Sequence, residues 1–322
     1  MEIGYGLSSE EHDPKALVRH AVRAEEAGFP FASISDHFHP WTREQGHSPF
    51  VWGVVGAIAQ ATERLRLGTG VTCPTVRTHP AIVAHAAATA GCLMPGRFFL
   101  GVGSGEALNE HVLGDRWPPA PIRLDMLEEA VQVIRLLWQG GSQDHHGTYY
   151  TLEDATIFDL PDELPQIVVA AAGARAAAVA ARIGDGMWAV GPNRQAVEAF
   201  EQEGGEGRPR YAQAVVCWAE DADEARRTAR QEWPNVAVAG QLTQDLPTPE
   251  HFEQATQMVR EDDVASKVAC GPDVARHVEL VQQYADAGFT HVYLQQVGAD
   301  QDGFFRFWEQ ELRAALDEQG LL

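Results

Sequence analysis

The chain has 322 residues, 45% of them hydrophobic, with 24 basic against 46 acidic side chains and a formal net charge of -22. This is enough chain for one large domain, and the acidic excess argues against nucleic acid and anionic membrane as partners. The residues 81–94, among the most apolar, carry His85 and are too few to span a bilayer.

Apolar runs and helical stretches alternate along the chain. A first strand is expected over 3–7, directly behind Met1 and so without a leader, and its helix over 14–28, closed by Gly28. A strand over 31–36 ends at Asp36-His37 and opens a loop with His39, Trp41, Arg43 and His47. A helix over 50–63, a strand over 65–71 and a helix over 80–93 with Pro80 in its first turn follow. The strand over 97–103 runs into Gly103-Ser104-Gly105-Glu106, then a Trp- and Pro-rich loop and a long amphipathic helix over 123–138. Residues 140–164 break the alternation. The runs 146–150 and 155–158 there read as short strands of an inserted hairpin. Strands over 166–171, 186–190, 211–219 and 291–297 alternate with helices over 175–183, 194–203, 221–232 and 273–287, and a helix over 304–316 closes the chain. A second insertion, helical in part, is expected over 234–271. Eight strands, each followed by helix, with polar residues gathered at the strand ends, describe a (β/α)8 TIM barrel of the α/β class. Its site lies on the C-terminal face, and 1–322 form a single domain.

On that face Asp36 and His37 can supply an acid–base centre, because His titrates near neutral pH. His37 and His39 are spaced like a metal pair but have no suitably spaced third ligand, so no metal is expected. Glu106 follows two glycines that let backbone approach a flat ligand. A carboxyl held among apolar neighbours titrates high and can donate a proton. Asn109 and Glu110 lie one turn later. The turn at Ala170-Ala171-Ala172-Gly173 opens a helix. It is either a phosphate site, with Arg175 adding charge, or a packing turn. Trp41 and Trp117 on mouth loops suit an aromatic ligand. Cys73, Cys92, Cys217 and Cys270 lack C-x-x-C spacing and read as reduced thiols of a cytoplasmic protein.

Four runs carry a resemblance: 35–41 (Ser-Asp-His-Phe-His-Pro-Trp), 67–71 (Leu-Gly-Thr-Gly-Val), 100–110 (Leu-Gly-Val-Gly-Ser-Gly-Glu-Ala-Leu-Asn-Glu) and 184–186 (Gly-Asp-Gly). Over nearly its whole length the chain resembles the luciferase-like superfamily. Within it the match is to the branch that uses the deazaflavin coenzyme F420 and includes F420-dependent glucose-6-phosphate dehydrogenases. The resemblance implies hydride transfer between an alcohol or sugar carbon and F420, with an FMN-dependent reductase or monooxygenase as the alternative. A cofactor-binding barrel without turnover would need neither His37 nor Glu106. By the same resemblance, Asp36 contacts the deazaflavin, His37 takes the substrate hydroxyl proton, Trp41 packs beside the reacting centre and Glu106 donates to the ring. Gly70 and Val71 would form a non-prolyl cis bulge, with Gly70 where relatives often have Ser. Cys73 stands where some have Thr. Gly103, Ser104 and Asn109 would line the cofactor site, and Ala171, Ala172 and Gly173 would hold its phosphate. Relatives acting on glucose 6-phosphate bind its phosphate with lysines. One such position falls here on Asn193, beside Arg194. The only lysines are Lys15, on the first helix, and Lys267, in the second insertion. Asn193 and Arg194 are thus the candidate substrate contacts, and a non-phosphorylated sugar or alcohol is expected. A homodimer is the expected assembly.

Overall fold

The computed structural model describes residues 1–238 and 240–322. Eight parallel strands close into a barrel: β1 (Glu2–Leu7), β2 (Phe31–Ile34), β3 (Arg66–Thr69), β4 (Phe98–Val102), β5 (Gln166–Ala170), β6 (Gly186–Val190), β7 (Arg210–Cys217) and β8 (His291–Gln296). Each pairs with the next, and β8 pairs back to β1 with Glu2 opposite His291. The helices are α1 (Pro14–Glu26), α2 (Val51–Ala61), α3 (Pro80–Leu93), α4 (Ala120–Leu137), α5 (Ala174–Ile183), α6 (Arg194–Phe200), α7 (Ala222–Glu232) and α8 (Val274–Ala287). The expected (β/α)8 barrel is present, and a closing helical run follows β8 over 301–318.

Strand side chains alternate between two cores. Residues facing outward, such as Ala32, Ile34, Leu100, Val169, Val292 and Leu294, join the helices in one large apolar layer. Residues of the other parity, Phe31, Phe99, Val168, Trp188, Tyr211 and Tyr293, fill the lumen. The lumen has room for these rings because small residues face them. A Cβ at Gly4 would lie 2.5 Å from the Phe31 ring, and one at Gly68 would lie 1.9 Å from that of Phe99. The lumen is therefore a plug, and ligand space begins only above it.

Both insertions exist, with different internal detail from that expected. The first hairpin has its strands at Gln143–His146 and Thr151–Ala155. Residues 148–150, expected in a strand, form the turn, because their N–H groups donate to the Glu129 carboxylate instead of to a strand partner. The second insertion is a chain of short helices, Leu242–Asp245, Pro249–Ala255 and Glu261–Ala265. It ends in an unexpected two-residue strand, Ala269–Cys270, which pairs with Val216 and Cys217 on the edge of β7 opposite β8. Expected strand ends run one to two residues long. β3, for example, stops at Thr69, and the Gly70–Val71 peptide is cis. Pairing resumes at Thr72, opposite Val102. Among the described residues no helix is long and apolar enough to cross a membrane.

Candidate active site

A cavity of about 590 Å³ opens at the C-terminal ends of the strands. Its floor is the upper layer of the lumen: Ser33, Trp188, Gln213, Tyr293 and Gln295. Its walls include Asp36, His37, Trp41, Gly70, Val71, Cys73, Gly103, Ser104, Glu106, Asn109, Ala171, Ala172 and Gly173. The strand-end residues singled out from the sequence thus converge on one space.

Along one wall three side chains lie in line. His37 Nδ1 is 3.3 Å from Glu10 Oε1, and its Nε2 is 3.7 Å from Glu106 Oε2. Glu10 is held from behind, its Oε2 accepting the Ser8 and Ser35 hydroxyls at 3.0 and 2.7 Å. This anchors a carboxylate against Nδ1 and turns Nε2 to the cavity. Burial pushes the Glu106 carboxyl up to about 7; His37 pulls it down and the charges of Glu10 and Glu110 push it further up. The Glu106 surface that stays open faces the cavity. Asn109 sits between the two segments. Its amide donates to Glu106 Oε2 at 3.4 Å, and its carbonyl accepts the Phe38 and His39 N–H groups. Trp41 stands edge-on to His37 with ring centroids 5.0 Å apart. Its other side meets Phe252 of the second insertion at 5.1 Å.

Behind this wall Asp36 is almost fully engaged. Its Oδ2 accepts the Thr72 hydroxyl at 2.8 Å, and its Oδ1 is 3.0 Å from Arg77 Nη2. Cys73 is buried with Sγ 2.9 Å from Thr75 Oγ1, and burial, then the Glu110 charge, holds it as a thiol. Opposite, α5 begins at Gly173 with no side chain capping its first turn, and residues 173–176 line the cavity.

Two expected contacts lie elsewhere. Neither Asn193 nor Arg194 lines the cavity. Asn193 caps α6, its Oδ1 accepting from Ala196 N, while its amide donates to the Ala172 carbonyl. Arg194 is exposed and donates to the Asp286 carbonyl. Trp117 also turns away: the Arg123 guanidinium lies 4.2 Å from its ring centre. Lys15 and Lys267 are exposed and off the cavity wall. His37 and His39 do not converge, since His39 Nδ1 faces the Leu108 carbonyl. Among the described residues no metal-ligating cluster is present.

Sequence reasoning missed Glu10, Arg77, Trp233 and the floor glutamines Gln213 and Gln295. Glu10 follows β1 as His37 follows β2, so the strand-end pattern points to it. The glutamines stand at lumen-facing parity in otherwise apolar strands. Arg77 lies in the loop before α3 and carries no local signal.

The family model described as luciferase-like monooxygenase matches residues 1–291. An F420-dependent glucose-6-phosphate dehydrogenase of Beutenbergia cavernae is 35% identical over 97% of this chain and 96% of its own. One of Mycolicibacterium smegmatis is 36% identical over 98% of both chains. An F420-dependent secondary alcohol dehydrogenase, solved with an F420–acetone adduct, superposes with a TM-score of 0.91 at 29% identity, covering 97% of this chain and 98% of its own. The chain therefore belongs to the luciferase-like monooxygenase family.

Proposed function

We infer that the protein is an F420-dependent dehydrogenase acting on CH–OH donors. The observation that carries this is the line Glu10–His37–Glu106 along a cavity whose far wall is an uncapped helix start. The site fits a flat anionic cofactor. A Cβ at Gly103 would lie 2.7 Å from Val71, and one at Gly105 would lie 2.5 Å from Cys73 Sγ, so no side chain fits at either position. Asp36, Gly70, Val71, Cys73, Gly103, Ser104 and Asn109 would hold the ring. Ala171, Ala172 and Gly173, with the positive end of α5 and Arg175, would hold the phosphate. When bound, F420 supplies the hydride-accepting carbon.

The chain's own residues handle the protons. Glu10 orients the imidazole, and His37 Nε2 takes the hydroxyl proton of the substrate. Glu106, its pKa near neutral, holds a proton at its carboxyl to deliver into the cavity. Trp41 and Trp233 close the wall and exclude water.

The substrate is an alcohol or a non-phosphorylated sugar. Among the described residues Arg175 is the only lysine or arginine on the cavity wall. With that cation assigned to the cofactor phosphate, none remains for a sugar phosphate, which needs fixed cationic donors. A homodimer would form through α2 and α3. They pack together and carry no Asp, Glu, Lys or Arg in a chain with 46 acidic residues, while Gly53, Ala57, Ile82 and Leu93 stand exposed. The four unpaired cysteines suit the reducing cytoplasm. The test is a binding titration with F420 and FMN, followed by turnover with a secondary alcohol, glucose and glucose 6-phosphate. Tight F420 binding with turnover of a neutral substrate is expected. Tight FMN binding without F420 binding overturns the cofactor, and efficient use of glucose 6-phosphate overturns the substrate.

A further inference from the structure

We propose that Arg77 is a positioning residue that sets the spacing between the two proton-handling groups, His37 and Glu106; this rests on the dehydrogenase function inferred above. Arg77 is itself absent from the cavity wall, and only 9% of its side chain is exposed. Its guanidinium bridges two segments. On one side Nη2 is 3.0 Å from Asp36 Oδ1, and Asp36 is the neighbour of His37. On the other side Nε faces Glu110 Oε1 at 3.4 Å, while the Arg77 backbone N–H donates to Glu110 Oε2 at 2.7 Å. Glu110 ends the single turn that Glu106 opens, and its N–H donates to the Glu106 carbonyl at 3.1 Å.

One side chain thus ties the end of β2 to the turn after β4. His37 and Glu106 come from those same two segments and stand 3.7 Å apart. Asn109 ties them from the cavity side, and Arg77 ties them from behind. Asp36 and Glu110 are both buried, so without a cation between them they would repel and separate. Lysine keeps the charge but has no planar fork to hold two carboxylates at once. A displacement of about 1 Å in such a site typically costs about 10²-fold in rate.

The test compares Arg77→Lys with Arg97→Lys. Arg97 is a partly buried arginine at the opposite end of the barrel, bonded to Thr62 and Leu65. Arg77→Lys is expected to stay folded with a cooperative unfolding transition and bind F420 within a few-fold, yet reduce the cofactor about 10²-fold more slowly in single turnover. Arg97→Lys is expected to transfer hydride at the wild-type rate. In the Glu106→Gln background, Arg77→Lys is expected to cost little more, because the spacing it protects no longer serves a proton donor. A crystal structure of the cofactor-free Arg77→Lys protein reads the same property without turnover. The His37 Nε2–Glu106 Oε2 separation should depart from 3.7 Å by about 1 Å. An unchanged separation, or rate losses that simply multiply with Glu106→Gln, overturns the proposal. Failure of the wild-type protein to bind F420 overturns the function instead and leaves the crystallographic comparison to decide on Arg77.

Discussion

The two rims of the barrel use the same side chains to opposite ends. At the N-terminal rim charged groups are spent on backbone. Glu25 accepts the N–H groups of Glu63, Arg64 and Leu65. Arg97 donates to Thr62 and to the Leu65 carbonyl, and Arg208 to the carbonyls of Ala181 and Gly184. At the C-terminal rim carboxylates face an imidazole, each other and a cavity. The titration of the two rims diverges accordingly. Burial pushes Glu25 up, but three N–H donors together hold it below the ordinary carboxylate range. Burial pushes Glu106 up to about 7 with other carboxylates adding to it, and burial pushes Glu110 up in spite of Arg77. Donors prevail over burial at Glu25, and burial prevails over donors at Glu106 and Glu110; that balance separates a carboxylate that braces the fold from one that can carry a proton.

Four measurements sharpen or break this contrast. The largest effect belongs to the C-terminal rim. His37→Ala and Glu106→Gln are each expected to slow single-turnover hydride transfer by about 10²–10⁴-fold with the fold retained. Wild-type rates in both would erase the functional half of the contrast. At the other rim, Glu25→Gln is expected to lower stability by roughly 2 kcal/mol in denaturant unfolding, since it weakens charge-assisted bonds to three N–H groups, with hydride transfer within twofold of wild type. A rate loss without a stability loss would reverse the roles of the rims. Next, Arg175→Ala is expected to weaken F420 binding by about 10-fold, the size of one exposed charge-assisted bond, and to leave the saturated rate alone. The remaining effect lies in the pH dependence. Glu106 binds its proton more tightly folded than unfolded. Its contribution to stability is full below its ordinary value of 4.5 and is lost as pH rises through about 7. Glu25 behaves oppositely: its contribution is present above 4.5 and is lost as pH falls through its depressed folded value. Tm against pH for Glu106→Gln and Glu25→Gln should differ from wild type with opposite slopes.

The barrel was legible because each strand end is marked by Gly, Pro or a polar residue, and this punctuation is local. His37, Glu106 and the Ala172-Gly173 turn were legible for the same reason, since the fold brings successive strand ends together. What escaped depends on contacts between distant segments. Arg77 acquires its meaning only when Asp36 and Glu110, 41 and 33 residues away, close around it. Asn193 was misplaced because a match at Gly184-Asp185-Gly186 fixes its position along the chain but not its side chain, which the start of α6 claims as a cap. The hairpin slipped because Glu129, on α4, takes the N–H groups that a strand would have used.

The second insertion leaves the barrel at Trp233 and returns at Ala269–Cys270 on the edge of β7. Between these anchors it presents Phe252 to Trp41 and Gln244 to the cavity. It is thus a cassette clipped to the scaffold at both ends. Its length and sequence can change without disturbing strand order, and each change reshapes the cavity wall. Exchange of this one segment is thus the natural unit for reshaping the cavity without rebuilding the barrel.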